Sequence, residues 1–91
     1  MADRFVADAT IEPDGYRQVF PTSAVGVGPG RVALIQCLVA DVRWRDDGTD
    51  PTTTVGMLLQ AGATLEYTGD LSTLRFIEVT AGAELNVSTY K

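Results

Sequence analysis

Asp46, Asp47 and Asp50 are the densest set of chemically capable side chains in this sequence, and they directly follow Arg43, Trp44 and Arg45. Hard oxygen ligands packed this closely could hold calcium, but their spacing does not match the loop of a helix-loop-helix calcium site. Aspartate is also chosen at turns for its tolerance of unusual backbone angles, and an exposed turn is the favoured reading here. Arg43, Arg45 and Arg75 are expected to bond acidic groups, in this chain or a neighbouring one, because a guanidinium presents a rigid fork that matches a carboxylate. Trp44 could stack on a sugar if its indole faced outward. Alternation instead groups it with Val42 as a core anchor and sends the flanking arginines to the other face. Gly26, Gly28, Gly30 and Arg31 superficially suggest a phosphate loop, but the Gly-Lys-Ser/Thr ending is missing, which favours a turn or hinge.

The chain has no histidine. That removes Ser-His-Asp and Cys-His catalysis and the commonest transition-metal ligand. A glycosidase pair among the carboxylates would need a substrate cleft that so small a core has little room to build. The sequence therefore predicts no enzyme, no catalytic residue, no metal and no cofactor.

Net charge is −5, from seven Lys plus Arg against twelve Asp plus Glu, and the pI is about 4.4. Nucleic acid is not an expected partner, since phosphate binding needs a basic face that releases counterions. Cys37 is the only cysteine and lies within the apolar run Val32 to Ala40. It reads as a small buried hydrophobe in a protein made in a reducing cytoplasm. No apolar stretch approaches the roughly 20 residues needed to span a bilayer, and the N-terminus lacks a secretory leader, so no membrane association is expected.

Ninety-one residues make one domain, burying roughly 64% of the surface that the unfolded chain exposes. Residues 1–14 read as an N-terminal arm, carrying Phe5 as a contact residue and reaching roughly 46 Å if fully extended. The alternative is a terminus that pairs with its own sheet or frays. Residues 15–91 read as a single β domain. Strands are expected at Tyr16 to Phe20, Arg31 to Ala40, Val42 to Arg45 as a continuation or a new strand, Thr53 to Leu59, Thr64 to Thr68, Leu74 to Thr80 and Glu84 to Tyr90. The second of these lacks alternation, which suggests burial on both faces. Its helical competitor rests on Val32, Ile35, Val39 and Val42. Asp47-Gly48 reads as a tight hairpin turn, and Pro51 with Thr52, Thr53 and Thr54 as extended chain. Further turns are placed at Ala61-Gly62, Gly69-Asp70 and Ala81-Gly82. The spacing predicts an all-β fold, a small antiparallel β-sandwich or barrel with an extended N-terminal arm.

The order R-W-R-x-D-G-x-x-P-T from Arg43 to Thr52, then Gly56, Leu59 before Ala61-Gly62, Leu65, and Leu74-Arg75-Phe76-Ile77 resembles small structural proteins encoded among the virion genes of tailed bacteriophages. The resemblance spans roughly residues 31 to 79. It implies a β module on the virion, foremost a head decoration or cement protein, with a head-to-tail joining piece or a tail or fibre-associated module that binds a host surface ligand as alternatives. Implied partners are the major capsid protein and further copies of the chain, and the implied location is the outer head surface. Arg43, Arg45, Asp46, Asp47, Asp50, Arg75 and Phe5 are the expected interface residues.

Overall fold

The computed structural model describes residues 13–90. Eight strands follow one another as β1 (Pro13–Val19), β2 (Val25–Gly26), β3 (Val32–Leu38), β4 (Val42–Arg45), β5 (Met57–Leu59), β6 (Thr64–Thr68), β7 (Arg75–Glu78) and β8 (Glu84–Tyr90), and one 3₁₀ turn (Leu71–Thr73) separates β6 from β7. They form two antiparallel four-stranded sheets, β1-β8-β3-β6 and β2-β7-β4-β5. The fold is all-β, and its two sheets are compatible with a small β-sandwich.

Alternation accounts for how the sheets share one core. Ala33, Ile35 and Cys37 of β3 and Leu85 and Val87 of β8 are buried, as are Val42 of β4, Leu59 of β5 and Phe76 of β7. These side chains belong to one cluster, which removes their apolar surface from water at roughly 25 cal/mol per Å². Leu71, which opens the 3₁₀ turn, and Leu74, which follows it, complete the cluster. Asp70 caps that turn, accepting a hydrogen bond from the Ser72 backbone N–H.

Every connection except the 46–56 loop passes from one sheet to the other. The tightest of these corners joins β3 to β4. Ala40 N–H donates to the Leu38 carbonyl at 2.9 Å, closing a three-residue turn around Val39, whose φ is 76°. A β-branched residue at positive φ is strained, because its Cβ crowds the neighbouring carbonyl. Val39 is 70% exposed, so the turn recovers little of this cost by burial. Val39→Gly is expected to stabilise the domain by up to about 1 kcal/mol, the relief of strain being partly offset by glycine's greater freedom when unfolded. A thermal melt would rise by about 4–8 °C per kcal/mol; a lower melting temperature would mean that the Val39 conformation is not strained.

Several expectations are corrected by the fold. The Arg31 to Ala40 segment forms a strand over Val32–Leu38 and not a helix, but its burial alternates, with Gln36 exposed, because only one face of its sheet meets the core. Asp47-Gly48 is not a two-residue hairpin: β4 and β5 are joined by the whole 46–56 loop. The threonines do not extend β5, because Thr52 and Val55 close a turn on each other, with Thr52 N–H to Val55 O at 2.9 Å. The Gly-rich stretch contributes the short strand β2 and leads into β3. Trp44 is only half-buried and packs at the margin of the core. Turns at Ala61-Gly62, Gly69-Asp70 and Ala81-Gly82 fall where expected, as does the one-sided burial of Leu65 and Tyr67 in β6. Pro13 and Asp14, the last residues read as arm, open β1; residues 1–12, including Phe5, lie outside the described residues.

Candidate functional site

The outward face of the sheet β2-β7-β4-β5 collects charge. Val42 and Trp44 share one face of β4, which sends Arg43 and Arg45 to the other. Across the ladder, Arg45 stands opposite Arg75 and Arg43 opposite Ile77 on β7, while Leu58 of β5 flanks Arg43 from the other side. Like charges directly opposite each other destabilise a sheet, and the 46–56 loop supplies the compensation. Asp47 receives both forks of Arg45, the Nε bond at 3.1 Å. Asp50 lies 3.7 Å from the buried Nε of Arg75, an ion pair longer than a hydrogen bond, and Arg75 Nη2 donates to the Ala24 carbonyl at 3.2 Å.

Arg43 does something different from what its residue type suggested. It donates from Nη1 to the Gly56 carbonyl at 2.9 Å and from Nε to the Thr53 carbonyl at 3.3 Å. The loop is thus held down at its far end through backbone and at its near end through carboxylates. Internal turns stiffen it further. Asp47 Oδ1 accepts from Thr49 N–H, and Thr52 Oγ1 accepts from the N–H groups of Thr54 and Val55. Asp46 points elsewhere and accepts from the Tyr67 hydroxyl of β6 at 2.7 Å, while the Tyr67 ring meets Trp44 edge-on at 6.3 Å.

Between the loop and β5 lies an open hollow of about 350 Å³ lined by Arg45, Asp46, Asp47, Val55, Gly56 and Met57. Val55 and Met57 are large apolar residues left exposed there, Met57 by 61%, and Leu58 is exposed beside Arg43 on the other face of β5. No protein-family model, curated protein or solved structure matches the chain. What the surface offers must therefore be read from its chemistry.

Six expected interface residues, Arg43, Arg45, Asp46, Asp47, Asp50 and Arg75, converge on this one loop and the strands beneath it. Their partners are within the chain: the acids that Arg45 and Arg75 engage are Asp47 and Asp50. The three carboxylates that could have held calcium face three different groups, and no cluster of three metal-capable side chains occurs among the described residues. Sequence reasoning missed Thr53 and Gly56 as the anchors of Arg43, and Val55, Met57 and Leu58 as exposed apolar groups. A signal for Leu58 was present, since it alternates with Met57 and Leu59 along one strand and cannot face inward with them. Cys37 is buried as expected and donates from Sγ to the Ala40 carbonyl at 3.1 Å. Burial and the nearby Asp41 charge raise its pKa, which keeps the thiol protonated and unreactive.

The electrostatics of the loop are directly testable. The Arg45 hydrogen bond holds the Asp47 carboxyl below its ordinary 3.8. The associated stability is complete above the ordinary carboxylate value and is lost as pH falls through the lower folded value. Tyr67 moves the other way: its bond to Asp46 favours the protonated phenol, and its pKa rises above 10.0. That contribution is complete below the ordinary tyrosine value and is lost as pH rises through the raised one. Carbon-13 titration of Asp47 and phenolate absorbance of Tyr67 check both; an Asp47 midpoint at or above 3.8 would mean that Arg45 does not hold it in solution.

Proposed function

We propose that this chain is a virion structural protein of a tailed bacteriophage, a small β-sandwich with an N-terminal arm that decorates the head and bridges major capsid subunits on the outer surface. The observation that carries this reading is the stiffened 46–56 loop, which presents Val55 beside paired charges and adjoins the exposed Met57 and Leu58 of β5. An apolar centre with a polar rim is the composition of a protein interface. The segment that resembles phage structural proteins contains the whole loop. A net charge of −5 suits the outer wall of a shell better than the side that faces packaged genome. The mechanism is adhesive. Contacts with capsid subunits and with neighbouring copies, each modest, add up over a symmetric lattice as multivalent attachment.

Because Arg43 secures its own loop, replacing it would disturb fold and contact together. Val55→Ser with Met57→Ser is the cleaner test, since exposed substitutions shift stability by only about 0.5 kcal/mol. The double variant is expected to keep its melting temperature and to bind heads at least about tenfold more weakly, a loss of about 1.4 kcal/mol. Undiminished binding rejects the loop as the contact. Copy number in purified virions tests the role itself. Decoration predicts copies distributed with the shell symmetry in numbers that follow the capsid subunits, whereas a joining ring or fibre module predicts only one closed ring or a few attachment points.

A further inference from the structure

The opposite sheet, β1-β8-β3-β6, carries a surface of another kind. Its register sets Gln18 against Asn86, Asn86 against Gln36, and Gln36 against Thr64, so a row of neutral polar side chains crosses all four strands. With strands about 4.8 Å apart the row runs about 14 Å. The amides are fixed in orientation by one another. Asn86 Oδ1 accepts from Gln18 Nε2 at 3.2 Å and from the Tyr16 hydroxyl at 2.9 Å, and Asn86 Nδ2 donates to Gln36 Oε1 at 3.0 Å. Those bonds fill both lone pairs of Asn86 Oδ1. They leave one N–H each of Asn86 and Gln18, both N–H groups of Gln36 and the Gln18 carbonyl oxygen without a hydrogen bond among the described residues. Tyr16 stands beside this row, tethered at its hydroxyl yet 66% exposed.

Cross-strand hydrogen bonds alone would explain the pairing, each contributing about 0.2–1 kcal/mol. They do not account for an exposed aromatic ring held in place beside oriented, unspent amide donors and an acceptor. A large, rigid, amphipathic ring offers contact area at little entropic cost. Planar amides match hydroxyl groups, which both donate and accept. The charged residues on the outward positions of β6 and β8 are Glu66 and Glu84, which flank the row. No cation lies in the row, so phosphates and acidic sugars find no counter-charge there. Neutral hydroxyls combined with an apolar C–H face are the chemistry of a neutral sugar. We propose that this face is a binding track for a neutral oligosaccharide, with Tyr16 as the stacking platform and Gln18, Gln36 and Asn86 as hydroxyl partners.

The track lies on the sheet away from the 46–56 loop, so it stands or falls independently of the assembly role. The test is a nitrogen-15 NMR titration of the full chain with cello-, xylo- and chito-oligosaccharides, with oligogalacturonate as the acidic comparison. At least one neutral series is expected to shift the side-chain amide signals of Gln18, Gln36 and Asn86. Tyr16→Ala is expected to weaken that binding at least about tenfold with the spectrum otherwise preserved, while Tyr16→Phe, which keeps the ring but loses the tether, weakens it less. Val55→Ser with Met57→Ser should leave it unchanged. Absence of any amide shift at millimolar sugar overturns the proposal. So does tighter binding of oligogalacturonate, or a shift of the same signals when the protein alone is diluted, which would make this face a contact between copies.

Discussion

Phe76→Ala is expected to destabilise the domain by about 3–5 kcal/mol, the cost of deleting a buried aromatic and leaving a cavity. Phe76 is fully buried at the centre of its sheet, opposite Val25 on one side and Trp44 on the other. It therefore joins the short strand β2 to the strand that carries the arginines. Domains of this size have total stabilities of only about 5–15 kcal/mol, so the variant would lose a fifth or more of its margin. Urea denaturation should show a lower midpoint at an unchanged slope. Phe76→Leu, which conserves more volume, should cost less than about 1.5 kcal/mol. A loss below about 1 kcal/mol for the alanine variant would contradict the placement of Phe76 in a well-packed core.

Gly56→Ala is the second large effect, and it acts on the site as well as on the fold. Gly56 has φ of 137°, and a Cβ there would lie 3.0 Å from the Trp44 carbonyl oxygen and 3.3 Å from the Cβ atoms of Arg43 and Pro51. The backbone conformation alone costs a side-chain-bearing residue about 1–3 kcal/mol. The clash adds to it, because its nearest target is backbone and cannot swing aside. Gly48 provides the comparison: its φ is 86°, but a Cβ there would meet nothing within 4 Å. Gly48→Ala should carry the backbone cost alone. If the two variants melt together, the close approach at Gly56 does not exist in solution. If Gly56→Ala is clearly worse, hydrogen exchange should also show the loop loosened, because the Gly56 carbonyl is what Arg43 Nη1 holds.

The same pair of variants bears on the proposed function. Val55 and Met57 flank Gly56 and line the hollow with it, so moving this glycine shifts the exposed contact surface without altering its composition. A decoration role that depends on a stiff loop predicts loss of head binding in Gly56→Ala beyond what its lower stability explains. Retained binding at temperatures where the variant is fully folded would show that the surface adapts and that the stiffness has another purpose.

How far the chain could be read in advance depended on the distance over which each feature is encoded. Alternation within β6 and β8, the turn residues at 61–62, 69–70 and 81–82, and the burial of Cys37 are local properties, written within a few neighbouring residues, and they fixed the all-β class. Opposite phases of Val42 and Arg43 were equally local, and they placed the arginines on the outward face. The identity of their partners was not local. Arg43 reaches the carbonyls of residues 10 and 13 positions away, and carbonyls leave no mark in a sequence because every residue has one. Reading Asp47-Gly48 as a hairpin failed because the turn chemistry is real while the strand that should follow it is delayed to Met57 by the mutual bonds of Thr52 and Val55.

Register lay beyond the sequence altogether. That Arg45 faces Arg75, or that Gln18, Asn86 and Gln36 line up in one row, follows from pairing between strands as far as 68 residues apart. A slip of one residue in either sheet would leave every local pattern intact and send those side chains to the other face. The chain thus specified which residues could be outward and polar. Only the closing of two sheets on a common core, which penalises any register that exposes Ile35, Val87 or Phe76, decided which of them meet.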